Sequence, residues 1–314
     1  MNCNMSDVNV KPTDSVLPAS VQVQSILYNN DPGAVDRALA SMARSAELAI
    51  FAGACSAVKV VLGDSSPLRC LSVDEVEALQ NKYSPTLSID YRFFGRNAGS
   101  ARGHNSLAEG ADSDFFLIQN PDVVVSPRLL EHLLEPFRFS DIGMVEAKQL
   151  PIEHPKEYHP VTGETCWATT ACAMIPAPLF RQLGGFDADS FFLYCDDVDF
   201  SWLVRLAGYK VIFSPAAVVF HDKRLSNEAG WLPSSAEYYY SAEAAMILAY
   251  KWSRDDLAES ICDYFKNHGE DYHKKAAKEY EDRKQSGRLP KQLDPDHKIA
   301  FFSDNLYSKH RYPL

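Results

Sequence analysis

Asp122 is the residue whose type and position best suit chemistry on a phosphorylated ligand. The apolar run from Phe115 to Ile118 is bounded by polar residues and is too short to span a membrane, so it predicts a buried strand. Asn120-Pro121-Asp122 follows this strand, and ligands of open α/β sheets gather beyond the carboxyl ends of strands. Asp122 would therefore lie where a diphosphate and its metal bind, although the same tripeptide is equally typical of a polar turn.

A second acidic stretch places Asp196, Asp197 and Asp199 at a predicted helix start. Adjacent carboxylates repel one another, so such a run destabilises the fold unless it is exposed, lies at the favourable end of the helix dipole, or lies near a cation. Because residues three apart share a helix face, we expect Asp196 and Asp199 to point together and Asp197 to face the pocket. A solvated helix start is the alternative, which the aromatic residues between positions 191 and 194 disfavour.

Two further stretches carry weaker signals. His221 ends an apolar strand and could supply a metal ligand beside Asp122, although a lone histidine is usually structural. The stretch Asn97-Ala98-Gly99 to Asn105 lies between a strand and a helix, where glycine lets backbone approach a ligand and helix amides favour phosphate. It is neither a dinucleotide-binding fingerprint nor a Walker loop, so a tight turn is the simpler interpretation.

Alternating strands and helices must position these residues. Val21 to Leu27 predicts a first strand, and Asp31-Pro32 begins a helix. Further along, the pattern predicts a helix capped by Ser126 and two separate strands at 209–213 and 217–220. Strands separated by helices of this size predict right-handed crossovers and a mostly parallel α/β sheet.

Composition and charge limit the class of protein. The 314 residues have room for one large α/β domain plus an appendage, and the net charge of -11 argues against a nucleic-acid binder. Seven scattered cysteines without CxxC spacing indicate reduced thiols in a cytoplasmic protein. The polar N-terminus predicts no signal peptide, and no apolar run reaches the roughly 20 residues of a membrane span. We therefore expect a soluble protein, with peripheral membrane contact left open.

Changes of composition predict three parts. A flexible lead is expected over residues 1–18, a main domain over 19–230, and a helical C-terminal extension with a loosely held tail over 231–314. The long loop from Pro151 to Cys166 is the kind of segment that is more often functional than idle. The basic C-terminal helix predicts a solvated face or a homodimer contact; contact with anionic membrane lipid is the less favoured alternative.

The order of these motifs resembles the inverting family 2 glycosyltransferases with a GT-A fold, and most of all their rhamnosyltransferase-like branch. This fold is Rossmann-like, with a mostly parallel central sheet and flanking helices. The resemblance covers about residues 20 to 230. It rests on Tyr28-Asn29-Asn30, Gly63 to Ser66, Asn97-x-Gly99 with Asn105, Asn120-Pro121-Asp122, Gly184 to Asp187, Phe191 to Asp199, Arg205, Gly208, and His221 with Ser226.

The resemblance implies a role for each matched position. Asp122 would hold Mg²⁺ or Mn²⁺ on a diphosphate, His221 would be a second metal ligand, and Asp197 would be the general base. Asp196 would be the other catalytic residue of the acidic pair. The nucleotide-sugar pocket would be formed by Tyr28, Asn29, Asp64, Asn97, Gly99, Asn105 and Asn120. The implied activity moves a sugar, with inversion, from dTDP-rhamnose or a UDP-sugar to a hydroxyl of a glycan or lipid-linked acceptor in surface polysaccharide synthesis.

Two departures from the family pattern keep other functions open. Asn120 replaces the first acidic residue of the commonest metal motif, and Tyr238-Tyr239-Tyr240 is not followed by the Arg-Asn pair common in this branch. A non-catalytic binding or scaffold subunit of a glycan synthase is therefore an alternative. A sugar nucleotidyltransferase is less favoured, because the first strand is not followed by that class's glycine-rich, arginine-containing loop.

Overall fold

The computed structural model describes residues 18–151, 153–154, 156–221, 235–303 and 307. Nearly all of the predicted flexible lead and the predicted boundary near residue 230 lie outside these residues. The strands are β1 (Ala19–Leu27), β2 (Cys55–Asp64), β3 (Ser88–Phe93), β4 (Phe115–Gln119), β5 (Val123–Val125), β6 (Ile142–Leu150), β7 (Glu164–Thr165), β8 (Cys172–Pro176) and β9 (Lys210–His221). The α-helices are α1 (Pro32–Phe51), α2 (Val73–Tyr83), α3 (Gly99–Ala108), α4 (Leu129–Leu134), α5 (Ala177–Gln182), α6 (Asp196–Leu206), α7 (Ser235–Lys251), α8 (Asp255–His268) and α9 (Asp271–Gln285).

The strands form one sheet in the order β3-β2-β1-β4-β8-β6-β9-β5, with β7 paired to β9. The first four of these are parallel, β8 runs antiparallel to both neighbours, and β6 and β9 are parallel. All five residues of β4 are buried, as its apolar sequence predicts. The predicted α/β fold, a central mostly parallel sheet with flanking helices, is confirmed.

Side-chain caps predicted from the sequence determine where the first two helices begin. Asp31 accepts a hydrogen bond from the backbone N–H of Ala34 at 2.9 Å, so α1 begins where the sequence predicts. Ser72 and Glu75 form a reciprocal capping box at the start of α2. Both caps satisfy backbone donors that the first helical turn leaves without partners.

The predicted helix after Ser126 is present as α4, but the predicted cap is wrong, because no side chain caps this helix. The residues just before Ser126, Val123 to Val125, form β5, because these β-branched residues pair antiparallel with β9. The Ser126 hydroxyl accepts the N–H of Val218 at 3.4 Å, and α4 begins only at Leu129. This pairing turns the residues after Asp122 toward His221.

The two predicted strands at 209–213 and 217–220 are one strand, β9. Its pairing with β6 jumps from Ala147–Ser214 to Lys148–Val218, so extra residues bulge out of β9. Pro215 lies in this bulge, because proline has no N–H to donate to the ladder. The sequence break at Pro215 is therefore a bulge within one strand.

The C-terminal helices share a core with α6. Trp202 of α6 packs edge-on to Trp252, with ring centroids 5.3 Å apart, and to Phe302. Residues 286–303, which follow α9, are bound to the rest of the fold: Asp294 accepts three backbone N–H groups, and the Arg205 guanidinium donates to the carbonyl of Ile299. Apolar burial against α6 is the physical reason.

The described part of the chain contains no helix that is both long and apolar enough to cross a bilayer. The six cysteines located there are all free thiols, and four of them are buried, as the scattered cysteine pattern predicts.

Candidate active site

Strand pairing brings Asp122 next to His221. Val123 is the register partner of His221, so the preceding residue, Asp122, lies at the end of β9. Oδ2 of Asp122 is 3.3 Å from Nε2 of His221, and Nδ2 of Asn120 is 3.4 Å from the same nitrogen. The predicted metal-ligand pair is therefore adjacent in space although the two residues are far apart in sequence.

The histidine is oriented by a residue that the sequence did not single out. Nδ1 of His221 lies 2.9 Å from Oε1 of Gln149, and this contact holds the ring with Nε2 facing Asp122. An imidazole nitrogen and a carboxylate oxygen that converge are a fitting pair of ligands for a divalent cation, and a partner on the other ring nitrogen is the usual arrangement. No group of three metal-ligating side chains occurs among the described residues, so further ligands would come from a diphosphate and water.

The acidic stretch begins α6 after a strained turn. Tyr194 and Cys195 both adopt left-handed backbone conformations, with φ of 69° and 57°. Non-glycine residues in this region cost of order 1–3 kcal/mol each and cluster at functional sites. Gly99 packs against this segment, since a Cβ there would lie 2.4 Å from the carbonyl oxygen of Phe192. Strain and close packing together set where α6 starts.

Asp196 is a buried carboxyl with an oxygen left without a hydrogen-bond partner. It is 4% exposed, its Oδ2 has no partner among the described residues, and the Ser100 hydroxyl contacts the carboxyl. Burial, and then the neighbouring charge of Asp197, raise the pKa of Asp196 to about 7. Asp196 is therefore a buried carboxyl that binds a proton at a higher pH than an ordinary aspartate does.

Asp197 lies beside the loop that also holds the metal-ligand turn. Its Oδ2 is 3.4 Å from the backbone N–H of Thr170, and its carbonyl accepts the Ser201 hydroxyl at 2.7 Å. The carbonyl of the next loop residue, Ala171, accepts the N–H of Asn120 at 3.0 Å. The two predicted acidic sites therefore lie at one edge of the sheet and share a dipeptide between them.

The prediction that Asp196 and Asp199 point together is wrong. Asp199 is fully buried and faces α7, where its oxygens meet Nζ of Lys251 at 2.8 Å and the indole N–H of Trp252 at 2.9 Å. Asp196 instead meets Ser100 on α3. Helical periodicity alone does not determine the orientation of these two side chains, because each one contacts a different partner that is distant in the sequence.

The predicted nucleoside end is built from β1 and β2. Tyr28 is 52% exposed, and Asn29 has a left-handed backbone whose N–H donates to the Ser66 hydroxyl at 2.8 Å. Asp64 is fully buried and accepts the N–H groups of Ser66 and Cys70 and the hydroxyl of Tyr91. Burial alone would raise its pKa, but these hydrogen bonds outweigh burial and lower the pKa of Asp64.

Asn97 and Asn105, two of the residues predicted to bind the nucleotide-sugar, form hydrogen bonds with backbone groups of the protein. Oδ1 of Asn97 accepts the N–H of Gly99 at 3.1 Å. Asn105 holds the Gly184-Gly185 turn, because its amide both donates to the carbonyl of Phe186 at 2.7 Å and accepts the Phe186 N–H at 2.9 Å. The hydrogen bonds of Asn105 and Asp64 are therefore to other groups of the fold, and a nucleotide-sugar pocket formed by the seven residues stays a prediction.

A buried ion pair supports the loop beneath Asp197. Glu146 on β6 is fully buried and accepts from Nζ of Lys156, whose side chain is 4% exposed. Lys156 also donates to the carbonyl of Trp167 at 3.3 Å and lies over its ring. Burial raises the pKa of Glu146 to about 7, although Lys156 acts against it and the N–H of Thr169 also bonds the carboxyl. The sequence carries no local signal for this pair.

Comparison with solved structures supports the fold. GalNAc-T7, in a crystal structure with UDP, GalNAc and Mn²⁺, has a TM-score of 0.60 at 13% identity, over 87% of this chain and 59% of that one. A mannosyltransferase from Pyrobaculum calidifontis, in complex with GDP-Man and Mn²⁺, has a TM-score of 0.54 at 17% identity, over 91% and 80%. TarS of S. aureus has a TM-score of 0.50 at 15% identity, over 79% and 44%. The chain has the GT-A fold of these enzymes.

Sequence comparison gives a short match. An N-acetylglucosaminyl-diphospho-decaprenol L-rhamnosyltransferase of Mycobacterium tuberculosis is 35% identical over 57 residues. This stretch is 18% of the length of either chain. No sequence profile of a protein family matches the chain. The resemblance to rhamnosyltransferase-like enzymes is thus supported by this partial relative and by the fold.

Proposed function

We propose that the protein is an inverting glycosyltransferase that moves a sugar from a nucleoside-diphosphate donor to the hydroxyl of a glycan or lipid-linked acceptor. The observation that carries this proposal is the common edge shared by the Asp122–His221 pair and the Asp196–Asp197 pair, joined through Thr170-Ala171. One pair suits a cation on a diphosphate, and the other suits removal of a proton. The GT-A fold supports the same class of reaction.

The donor would lie over the carboxyl ends of β1, β2 and β4. Tyr28 and Asn29 would contact the nucleoside, and Asp122 with His221 would hold Mg²⁺ or Mn²⁺. When bound, such an ion neutralises charge that develops on the diphosphate leaving group. Gln149 holds the His221 ring through Nδ1, so that Nε2 faces Asp122.

The acceptor hydroxyl would lose its proton to Asp197 as it attacks the anomeric carbon from the face opposite the diphosphate. Asp197 is the proposed proton acceptor of the pair because its Oδ2 lies beside the Thr170-Ala171 dipeptide that also binds Asn120, whereas its neighbour Asp196 meets Ser100 on α3. A positioned carboxylate base accelerates such a step by about 10²–10⁴-fold. A single displacement inverts the sugar carbon and needs no covalent intermediate.

Release of a nucleoside diphosphate tests this function. The protein is incubated with dTDP-rhamnose, UDP-GlcNAc, UDP-glucose and GDP-mannose, each with Mn²⁺ or with EDTA, and free dTDP, UDP or GDP is measured. We expect release from one donor that needs Mn²⁺ and increases with an added glycan acceptor. Binding of a donor without any release would instead support the scaffold-subunit alternative.

A lipid-linked acceptor would require the protein to reach a membrane surface from the cytoplasm. Several basic side chains of α9 are already paired with acids, including Lys284 with Glu259 at 2.5 Å. Cosedimentation with vesicles containing anionic lipid, at low and high salt, measures whether enough basic charge remains for membrane contact. Absence of binding at low salt would favour a glycan acceptor delivered in solution.

A further inference from the structure

Lys251, the last residue of α7, is buried between two aspartates from other parts of the fold. Its Nζ lies 2.7 Å from Oδ2 of Asp187 and 2.8 Å from Oδ2 of Asp199. The lysine side chain is only 8% exposed, so these carboxylates rather than water compensate its charge. Burial alone would lower the pKa of Lys251, but the two aspartates outweigh it and raise the pKa.

The two aspartates mark the ends of one segment, residues 187–199. At its start, Oδ1 of Asp187 accepts the N–H of Ser190 at 3.1 Å, and the Asp187 carbonyl accepts the N–H of Phe191 at 2.9 Å. At its end, the second oxygen of Asp199 accepts the indole N–H of Trp252. Lys251, at the end of α7, thus holds both ends of the segment, and the next residue, Trp252, also holds the second end.

The strained turn and the acidic pair lie between these two ends. Tyr194 and Cys195 are left-handed, and Asp196 and Asp197 follow directly. Strained backbone of this kind persists only where the surroundings over-determine it. A buried ammonium bound to both ends of the segment is such a constraint. The segment needs one because it contains no glycine between Asp187 and Asp199, the residue that adopts left-handed backbone without strain.

We propose that Lys251 is a positioning residue that fixes the carboxylates of Asp196 and Asp197 by holding the ends of segment 187–199. The kinetic part of this inference rests on the proposed function. It gives the C-terminal helices a part in the active site. It also explains why Asp199 is buried against α7 rather than exposed at the helix start.

Three variants test the proposal in the full-length protein. Lys251→Met removes the charge at similar length, Lys251→Arg retains it, and Lys266→Met is the matched control, since Lys266 pairs with Glu281 at 2.5 Å on the outer face of α8 and α9. Amide hydrogen exchange of residues 190–199 is measured without substrate. Steady-state kinetics are measured with the donor that the wild type turns over.

Of the three variants, we expect only Lys251→Met to show faster amide exchange at residues 190–199. Its kcat should be lower by about 10²-fold with the donor KM unchanged, because a displacement of about 1 Å at reacting groups lowers the rate by about this factor. Lys251→Arg should recover most of kcat, which a merely structural loss of stability would not predict. Unchanged exchange or unchanged kcat in a folded Lys251→Met protein overturns the proposal. If that variant does not fold, Asp187→Asn, which loosens only one end, takes its place with the same expectations.

Failure of the proposed function is distinguishable from failure of this inference. If the wild type releases no nucleoside diphosphate from any donor, the transferase proposal fails. The exchange measurement then decides on Lys251 by itself: faster exchange confined to residues 190–199 supports it, and exchange equal to wild type overturns it.

Discussion

Asp197 and Asn120 are joined through two consecutive residues of one loop. Thr170 donates its N–H to Asp197, and the carbonyl of Ala171 accepts the N–H of Asn120. A change that moves this dipeptide therefore moves both the proposed base and the turn that carries Asp122.

Replacing Asp197 removes the proposed base without removing the donor site. We expect Asp197→Asn to lower kcat by about 10²–10⁴-fold, since an amide cannot accept the proton. Donor binding, measured by calorimetry with Mn²⁺, should stay at the wild-type value. The control is Asp189→Asn, because Asp189 is exposed and pairs with Arg102 on the surface at 2.8 Å. Full activity in Asp197→Asn would assign the base elsewhere.

Replacing Asp196 should stabilise the protein at high pH. Because folding raises the pKa of Asp196 from 3.8 to about 7, the folded state binds the proton more tightly, and the stability contribution present at low pH is lost as pH rises toward 7. This loss is at most about 4 kcal/mol at pH 8, at 1.36 kcal/mol per pKa unit. Asp196→Asn should therefore melt at a higher temperature than wild type at pH 8 and at nearly the same temperature at pH 4.

The pH dependence of the reaction gives a second measurement on Asp196. The wild-type rate should show an ionisation near pH 7 that belongs to the acidic pair. In Asp196→Asn this ionisation should disappear from the profile, because the amide does not titrate. A difference in melting temperature that is the same at pH 4 and pH 8 would contradict the assignment of the raised pKa to Asp196.

Replacing either proposed metal ligand should uncouple nucleotide binding from the metal. With UDP or dTDP present, Mn²⁺ should raise the melting temperature of the wild type, because a ligand that binds only the folded state stabilises it. We expect Asp122→Asn and His221→Ala to lose this increase, with His268→Ala, an exposed residue of α8, as the control. An increase retained in both ligand variants would show that the cation binds elsewhere.

Breaking the buried Glu146–Lys156 pair should destabilise the fold. Lys156→Met leaves a fully buried carboxyl without its partner, and we expect a loss of about 3–5 kcal/mol in the free energy of unfolding at pH 8. The loss should shrink at pH 5.5, because a carboxyl with a pKa of about 7 is then protonated. Urea unfolding of Lys156→Met and of the double variant Lys156→Met/Glu146→Gln measures this, and the double variant should recover most of the loss.

An exposed pair provides the control for that measurement. Arg44 and Glu47 lie on the surface of α1, with side chains 56% and 60% exposed. Surface pairs contribute about 0–1 kcal/mol, so Arg44→Met should unfold nearly as wild type does. An equal loss in both single variants would mean that the position of the Glu146–Lys156 pair has no special importance.

The sequence by itself determined most of the sheet-forming strands, the helix caps at Asp31 and Ser72, and the chemical groups gathered at the strand ends. These follow from local periodicity and from residues a few positions apart, which is why β4 and the turn at Asp122 are where the pattern predicts. The same local reasoning missed β5 and divided β9, because pairing with a distant strand outweighed the propensity of either stretch.

Only the tertiary structure decided the surroundings of the acidic residues. Asp199 is bound by Lys251, 52 positions away, and Glu146 by Lys156 across a loop, while an oxygen of Asp196 has no hydrogen-bond partner in the described part of the chain. The charge state and orientation of a buried carboxyl depend on which groups enclose it. Those groups come from elements distant in the chain, so no helical spacing within Asp196–Asp199 could distinguish a candidate catalytic aspartate from a structural one.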